Sequence, residues 1–380
     1  MTIIHPKVIT GVEVLERSGF EQIAGSRIGL VTNHTGITTD GRSTVDVLCQ
    51  ASNVAVTALF GPEHGIRGVQ DEAVDDGVDV KTGLPVYSLY GARTKPTEEQ
   101  CRAFEVFVYD IQDIGCRFYT YLSTLGNILE AAHDLGKAVV VLDRPNPIGG
   151  DAAGPYPDHD RLSFTAYHKV PVRHGLSLGE LAKLIHKERG LECRLEVVPV
   201  HGWNRNLWFD ETNLIWTNPS PNMRSLYAAL LYPGVGLLEF TNISVGRGTE
   251  RPFELLGAPY IDGVGLAVGL NNRRIAGVQA MPVSFTPASS VYSGELCSGV
   301  AFTVTNRTVL DPIKLGFELA RLLIRNYPGA YSTDKLDTLL VNDNIYRALF
   351  NCEDFEDLRN LYAGDCPDFE RRCASSKLYP

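Results

Sequence analysis

The sequence predicts an α/β fold built on a doubly wound parallel sheet, followed by a second, smaller α+β domain. Three observations predict it. Short apolar, β-branched runs recur at RIGLVT (27–32), VAVTALF (54–60), EVFVYD (105–110), KAVVVLD (137–143) and after Leu195. Helical patterns stand between them, over Ser43–Ala51, Tyr119–Leu135 and Ser177–Arg189. Strands alternating with helices at this spacing make βαβ units and hence a parallel sheet. Several of these runs also end on a polar or ionisable residue, and open α/β sheets bind ligands at the carboxyl ends of their strands.

Taken in order, RIGLVT runs out into Asn33, His34 and Thr35, and Ser43 or Thr44 can cap the first helix. VAVTALF gives way to Gly61-Pro62-Glu63-His64-Gly65-Ile66-Arg67-Gly68. Three glycines and a proline in eight residues shape a tight loop. It carries an acid, an imidazole and a guanidinium at a strand end, so it reads either as a solvated turn or as a catalytic loop built around Glu63. Leu84–Tyr90 is extended, and Pro96–Glu99 has the look of a helix start. Ser177 with Glu180 three residues later forms a capping box. Beyond about Tyr232 the alternation weakens into strand-like MPVSFTP and VAFTVTN, a helix at Pro312–Arg325, and an acidic, mostly helical stretch over Lys335–Leu361. Two domains are therefore expected, residues 1–230 and 231–380.

A net charge of −10 argues against a general nucleic-acid or membrane-surface binder, which needs a basic face. No apolar run reaches the roughly 18 residues that span a bilayer. The N-terminal residues lack a basic segment followed by an apolar one, so a cytoplasmic location is expected, a trimmed exported protein looking the same. Eight scattered cysteines without a CxxC pair suggest reduced thiols and no zinc site.

Candidate chemistry gathers in four places. Asn33 and His34, then Glu63, His64 and Arg67, then Asp110, Gln112 and Asp113, then Asp143 and Arg144 follow successive strands. Any one strand-end aspartate can be a helix cap, but several together point to a cleft. Within Tyr109–Leu125, Arg117, Tyr119 and Tyr121 suit a sugar or a carboxylate, or else ordinary packing. Within Trp216–Gly234, Asn218, Ser220 and Asn222 stand between prolines in a rigid polar turn. Within Thr241–Tyr260, Arg247 is flanked by glycines and Glu250 and Arg251 precede Pro252. The absence of GxSxG, HExxH and any Walker or GxGxxG pattern argues against a serine hydrolase, a zinc peptidase and a nucleotide site.

Taken together, GLVTNHTGI, LFGPEHGIRG, TGLPVYSLYG, YDIQDIGCRFYTYLSTL, LDRPNPIGG, RHGLSLGELA, WTNPSPNMRSLYAALLYPGVGLLE and TNISVGRGTERPFELLGAPYIDG resemble the NamZ family of exo-β-N-acetylmuramidases. The resemblance runs from about residue 9 to the end and is densest before residue 265. It implies a Rossmann-like catalytic domain with a smaller C-terminal domain completing the cleft. The implied reaction is cleavage of terminal β-1,4-linked N-acetylmuramic acid from peptidoglycan fragments, without metal or nucleotide cofactor. It places the family's glutamate on Glu63, as general acid. Asp110, Asp113 and Glu250 are then candidates for a second group, and Arg67, Arg117 and Arg247 for the lactyl carboxylate. Asn33, His34, His64, Tyr119, Tyr121, Asn218 and Asn222 complete the expected sugar site. A β-N-acetylglucosaminidase, an amidase or esterase using Glu63 and His64, and a non-catalytic sugar-binding protein remain alternatives.

Overall fold

A computed structural model describes residues 7–62, 66, 76–91 and 93–380. Its larger sheet comprises β1 (Arg27–Thr32), β2 (Ala55–Gly61), β3 (Gly77–Val78), β4 (Pro85–Ser88), β5 (Val106–Asp110), β6 (Ala138–Leu142) and β7 (Leu195–Val198). The strand order is β3-β4-β2-β1-β5-β6-β7, parallel throughout except for β3 against β4. The chain winds outward from β1 through β2 and β4, then returns to lay β5, β6 and β7 on the other side. The switch point of this doubly wound sheet therefore lies between β1 and β5, where such folds open a crevice.

Period-two alternation divides the sheet residues between two cores. Ile28, Leu30, Val108, Val140, Leu142 and Val198 face α1 (Gly11–Arg17) and α2 (Thr44–Gln50). Val31, Phe107, Tyr109, Val139 and Val141 face the opposite way. After α3 (Glu98–Cys101), that second face is covered by α4 (Tyr121–Asp134) and α5 (Leu178–Glu188). Each aliphatic side chain buried in these layers contributes roughly 1.5–3 kcal/mol. The expected capping box opens α5: Ser177 Oγ accepts from the Glu180 N–H at 3.2 Å, and Glu180 Oε2 accepts from the Ser177 N–H at 3.0 Å.

The second region holds α6 (Leu226–Val235), β8 (Leu255–Ala258), α7 (Gly263–Asn272), β9 (Val278–Phe285), β10 (Cys297–Val304) and α8 (Pro312–Asn326). Four short helices follow: α9 (Asp337–Leu340), α10 (Asp343–Asn351), α11 (Phe355–Asn360) and α12 (Asp365–Cys373). Its sheet is antiparallel, ordered β8-β10-β9. Helices α6 and α8 cross at Gly234 and Gly316, where a Cβ on Gly234 would fall 1.8 Å from the Pro312 carbonyl oxygen. Residue 230, the expected end of the first domain, stands within α6. One continuous apolar core joins α4 and α5 to α6, α7 and α8.

The end of the chain returns to the first sheet. Tyr379 donates its hydroxyl to Asp143 Oδ2 at 2.5 Å and accepts from the Val200 N–H at 3.0 Å. Arg205 binds the Tyr379 carbonyl through Nε at 3.2 Å, and its N–H reaches the Pro380 carbonyl at 3.0 Å. Among the described residues no helix is long and apolar enough to cross a membrane.

Candidate active site

Each strand end around the switch point delivers a polar group, and most of these groups are occupied by the fold itself. Asn33 Oδ1 accepts from the Thr35 N–H at 2.9 Å and from Thr35 Oγ1 at 2.5 Å. That Asx-type turn bends the chain as β1 ends. Its Nδ2 donates to the Tyr121 hydroxyl at 2.9 Å, and Tyr121 donates onward to the Pro219 carbonyl at 2.5 Å. His34 Nε2 lies 2.7 Å from the carbonyl oxygen of Asn218, whose residue is otherwise exposed. Asn33, His34, Tyr121 and Asn218 thus fasten the rigid proline turn onto the end of β1.

Asp110 and Arg117 correct two expectations. Asp110 is fully buried, with Arg144 Nε on Oδ1 at 2.5 Å, Arg144 Nη2 on Oδ2 at 3.0 Å, and the Thr44 hydroxyl on Oδ2 as well. An acid closed off from solvent in this way and held by a bidentate arginine is taken up by the fold and does not line the cavity described below. Arg117 is equally buried, and its guanidinium donates to the carbonyls of Pro155 (2.9 Å), Val170 (3.4 Å), Leu339 (3.0 Å) and Leu340 (2.6 Å). The last two carbonyls end α9, where a cation is favoured. Burial draws its pKa down to about 10, so it stays charged at neutral pH. Arg117 therefore ties the second region to the first, and its charge does not reach a lactyl group.

Asp113 is buried as well. Its Oδ2 accepts from the Gly115 N–H at 2.8 Å and lies 3.3 Å from His174 Nε2, while His174 Nδ1 accepts from the Leu176 N–H at 3.2 Å. Asp143, also fully buried, accepts from Ser177 Oγ (2.6 Å), Tyr379, the Gly179 N–H (2.8 Å) and the Arg144 N–H (3.0 Å). Burial pushes its carboxyl up to about 6 despite these donors. Glu250 errs in the opposite direction: its side chain is 94% exposed and its partner is Arg224 at 2.8 Å on the surface.

Among the described residues, a cavity of about 370 Å³ that could hold a ligand lies where α4, the proline turn and the segment after α6 meet. Its floor is aromatic and interlocked. Tyr119 meets Tyr121 edge-on at 5.0 Å between centroids, Phe118 lies 5.1 Å from Tyr232, and Tyr232 meets Phe253 at 4.6 Å. Burial holds the Tyr119 phenol well above its ordinary pKa, so it stays neutral. Of the expected sugar ligands, Tyr119, Tyr121, Asn222 and Arg247 line this cavity.

Arg247 brings an acid that sequence reading passed over. Its Nη1 donates to Glu239 Oε1 at 2.6 Å, and Glu239 is the single acid among the described residues lining the cavity. Gly246 and Gly248, both left-handed (φ 81° and 79°), fix the arginine from either side. A Cβ on Gly248 would fall 2.5 Å from the Ser289 amide nitrogen, so the backbone packs too closely there for any side chain. Glu239 ends the apolar run Val235–Leu238, the same strand-end-like signal that drew attention to Asp110 and Asp143. Tyr90, Phe164, Tyr232 and Phe240 also line the cavity and were not expected there. Glu63, His64 and Arg67 lie outside the described residues, directly after β2 in sequence.

With this geometry in place, two family models divide the chain between them. The N-terminal model of the exo-β-N-acetylmuramidase NamZ matches residues 28–227, and its C-terminal model matches residues 230–379. The chain belongs to the NamZ family. It is 41% identical over 384 aligned residues to the peptidoglycan β-N-acetylmuramidase NamZ of Bacillus subtilis (strain 168), an alignment that covers 100% of this chain and 93% of that one. A crystal structure of a DUF1343 family protein from Bacteroides fragilis superposes with a TM-score of 0.92 at 36% identity, covering 98% of this chain and 99% of that one. A second DUF1343 protein from the same organism gives 0.81 at 28% identity, with the same coverage. The cavity residues Tyr119 and Asn222 lie within the match to the N-terminal model and Arg247 within the match to the C-terminal one.

Proposed function

We propose that this protein is an exo-acting glycoside hydrolase that removes a terminal β-1,4-linked N-acetylmuramic acid from peptidoglycan fragments. The observation that carries the reading is a cavity closed by aromatic rings at its floor and bearing the Glu239–Arg247 pair in its wall, in a member of the NamZ family. Its size is that of a pocket for one small ligand. A closed floor admits the end of a saccharide and excludes a chain passing through.

Glycosidic cleavage needs a proton for the leaving oxygen and negative charge near the oxocarbenium-like centre. In this reading Glu63 supplies the proton as the C1–O bond breaks. Water forms the new bond to C1 and gives its proton either to the second carboxylate, with inversion, or, where that carboxylate has first bonded C1, to the ionised Glu63, with retention. Glu239 suits that second role better than Asp110, Asp113 or Glu250, because it alone of the four lines the cavity. Arg247, which lines the cavity, is the first candidate for the lactyl carboxylate, and Arg67, outside the described residues, is the second. The arginine's planar fork matches a carboxylate.

The test is hydrolysis of a synthetic β-muramide followed by NMR of the released sugar. Turnover with free N-acetylmuramic acid as product is expected, and the anomer first released reports retention or inversion. Glu63→Gln should lower turnover by about 10²–10⁴. Wild-type protein that leaves the muramide intact, or a Glu63→Gln variant that turns over normally, would contradict the proposal.

A further inference from the structure

The rings lining the cavity fall into two groups with different surroundings. Phe118, Tyr119, Tyr121, Tyr232 and Phe253 are at most 8% exposed, and their faces and edges pack on one another. Phe240 is 47% exposed, and Tyr90 and Phe164 are partly exposed, their centroids 6.4 Å apart and their planes inclined by 54°. These three come from separate segments: the loop after β4, the connection between β6 and α5, and the residue that follows Glu239. All three line the same cavity wall as Glu239 and Arg247.

Resting on the muramidase reading, we propose that Tyr90, Phe164 and Phe240 form the leaving-group subsite, a platform for the pyranose ring that carries the glycosidic oxygen. If the terminal sugar occupies the closed floor, the remainder of the saccharide must leave through the open side, where these rings stand. The C–H face of an N-acetylglucosamine-type ring is apolar and wide enough to cover an aromatic face, while its hydroxyls stay in water. Phe240 adjoins Glu239 in the chain, so a ring stacked there bears directly on how the scissile bond is presented. The platform would make the enzyme select what it releases from as well as what it releases.

Phe240→Ala and the double variant Tyr90→Ala/Phe164→Ala would be assayed on two substrates: a disaccharide with a pyranose leaving group and methyl β-N-acetylmuramide. Inhibition by free N-acetylmuramic acid would be measured in parallel. The expected result is a fall of roughly tenfold in kcat/KM on the disaccharide. The methyl glycoside and the inhibition constant should each stay within about twofold. Equal losses on both substrates, weakened inhibition by the monosaccharide, or no loss on the disaccharide would overturn the subsite. Wild-type protein inert on both substrates would instead defeat the muramidase reading beneath it.

Discussion

The strand ends at the switch point and the cavity beyond α6 make an instructive pair. Both are rich in acids, arginines and tyrosines, and both lie in motifs of the same family. At the strand ends the ionisable groups are held by partners inside the protein: Asp110 by the Arg144 guanidinium, Asp143 by four hydrogen-bond donors, Arg117 by four carbonyls. At the cavity, Glu239 and Arg247 also pair, but their side chains remain 13% and 32% exposed and face open volume. A charged pair in a buried place shapes the chain, and the same pair on a cavity wall can meet a ligand. Exposure and free volume, more than residue type, separate the two.

Paired substitutions would break the comparison if it is wrong. The largest effect is expected at the cavity: Glu239→Gln should lower β-muramide turnover by at least about 10²-fold while the melting temperature moves little. Asp110→Asn should behave in the reverse way. Removing one partner of a buried ion pair destabilises by about 3–5 kcal/mol, read by urea unfolding, while folded protein at low temperature keeps its activity. If Asp110→Asn abolished turnover without loss of stability, Asp110 would return to the catalytic account.

A smaller effect concerns pH. The Asp143 carboxyl is raised from 3.8 to about 6 by burial, so the folded protein holds this proton more tightly than the unfolded chain does. Its contribution to stability is therefore greatest below pH 4, falls as pH rises from about 4 to 6, and is level above that, a change on the order of 2–3 kcal/mol. Unfolding free energies of wild type and Asp143→Asn across this range should converge or diverge by that amount. A constant difference between them would refute the shift. The smallest effect is expected for Glu250→Gln, whose exposed pair with Arg224 should matter by less than about 1 kcal/mol and leave turnover within twofold.

Much of the fold was legible because its signals are local. Apolar strands, the Ser177–Glu180 box and the helical periods of α4, α5 and α8 need only neighbouring residues to be read. The two-residue β3 carries no such signal, and α6 straddles the expected domain limit because its apolar residues belong to a core shared by both regions. The site was legible in part. Tyr119, Asn222 and Arg247 stood in recognisable clusters and line the cavity, whereas Asp110 is buried and Glu250 is exposed outside it. What places Arg144 on Asp110, or Arg224 on Glu250, is a contact between segments 34 and 26 residues apart. Glu239 was missed although its partner Arg247 is only eight residues away, because the volume beside the pair is built by segments distant in sequence.

The central claim is that the cavity bearing Arg247 receives the carboxylate-bearing sugar. Titrating N-acetylmuramic acid and N-acetylglucosamine separately into wild-type protein and Arg247→Met, by calorimetry, tests it most directly. The account predicts that the variant loses at least tenfold in affinity for N-acetylmuramic acid, about 1.4 kcal/mol, while N-acetylglucosamine binds as before. Equal affinities of wild type and variant for N-acetylmuramic acid, or equal losses for both sugars, would contradict it.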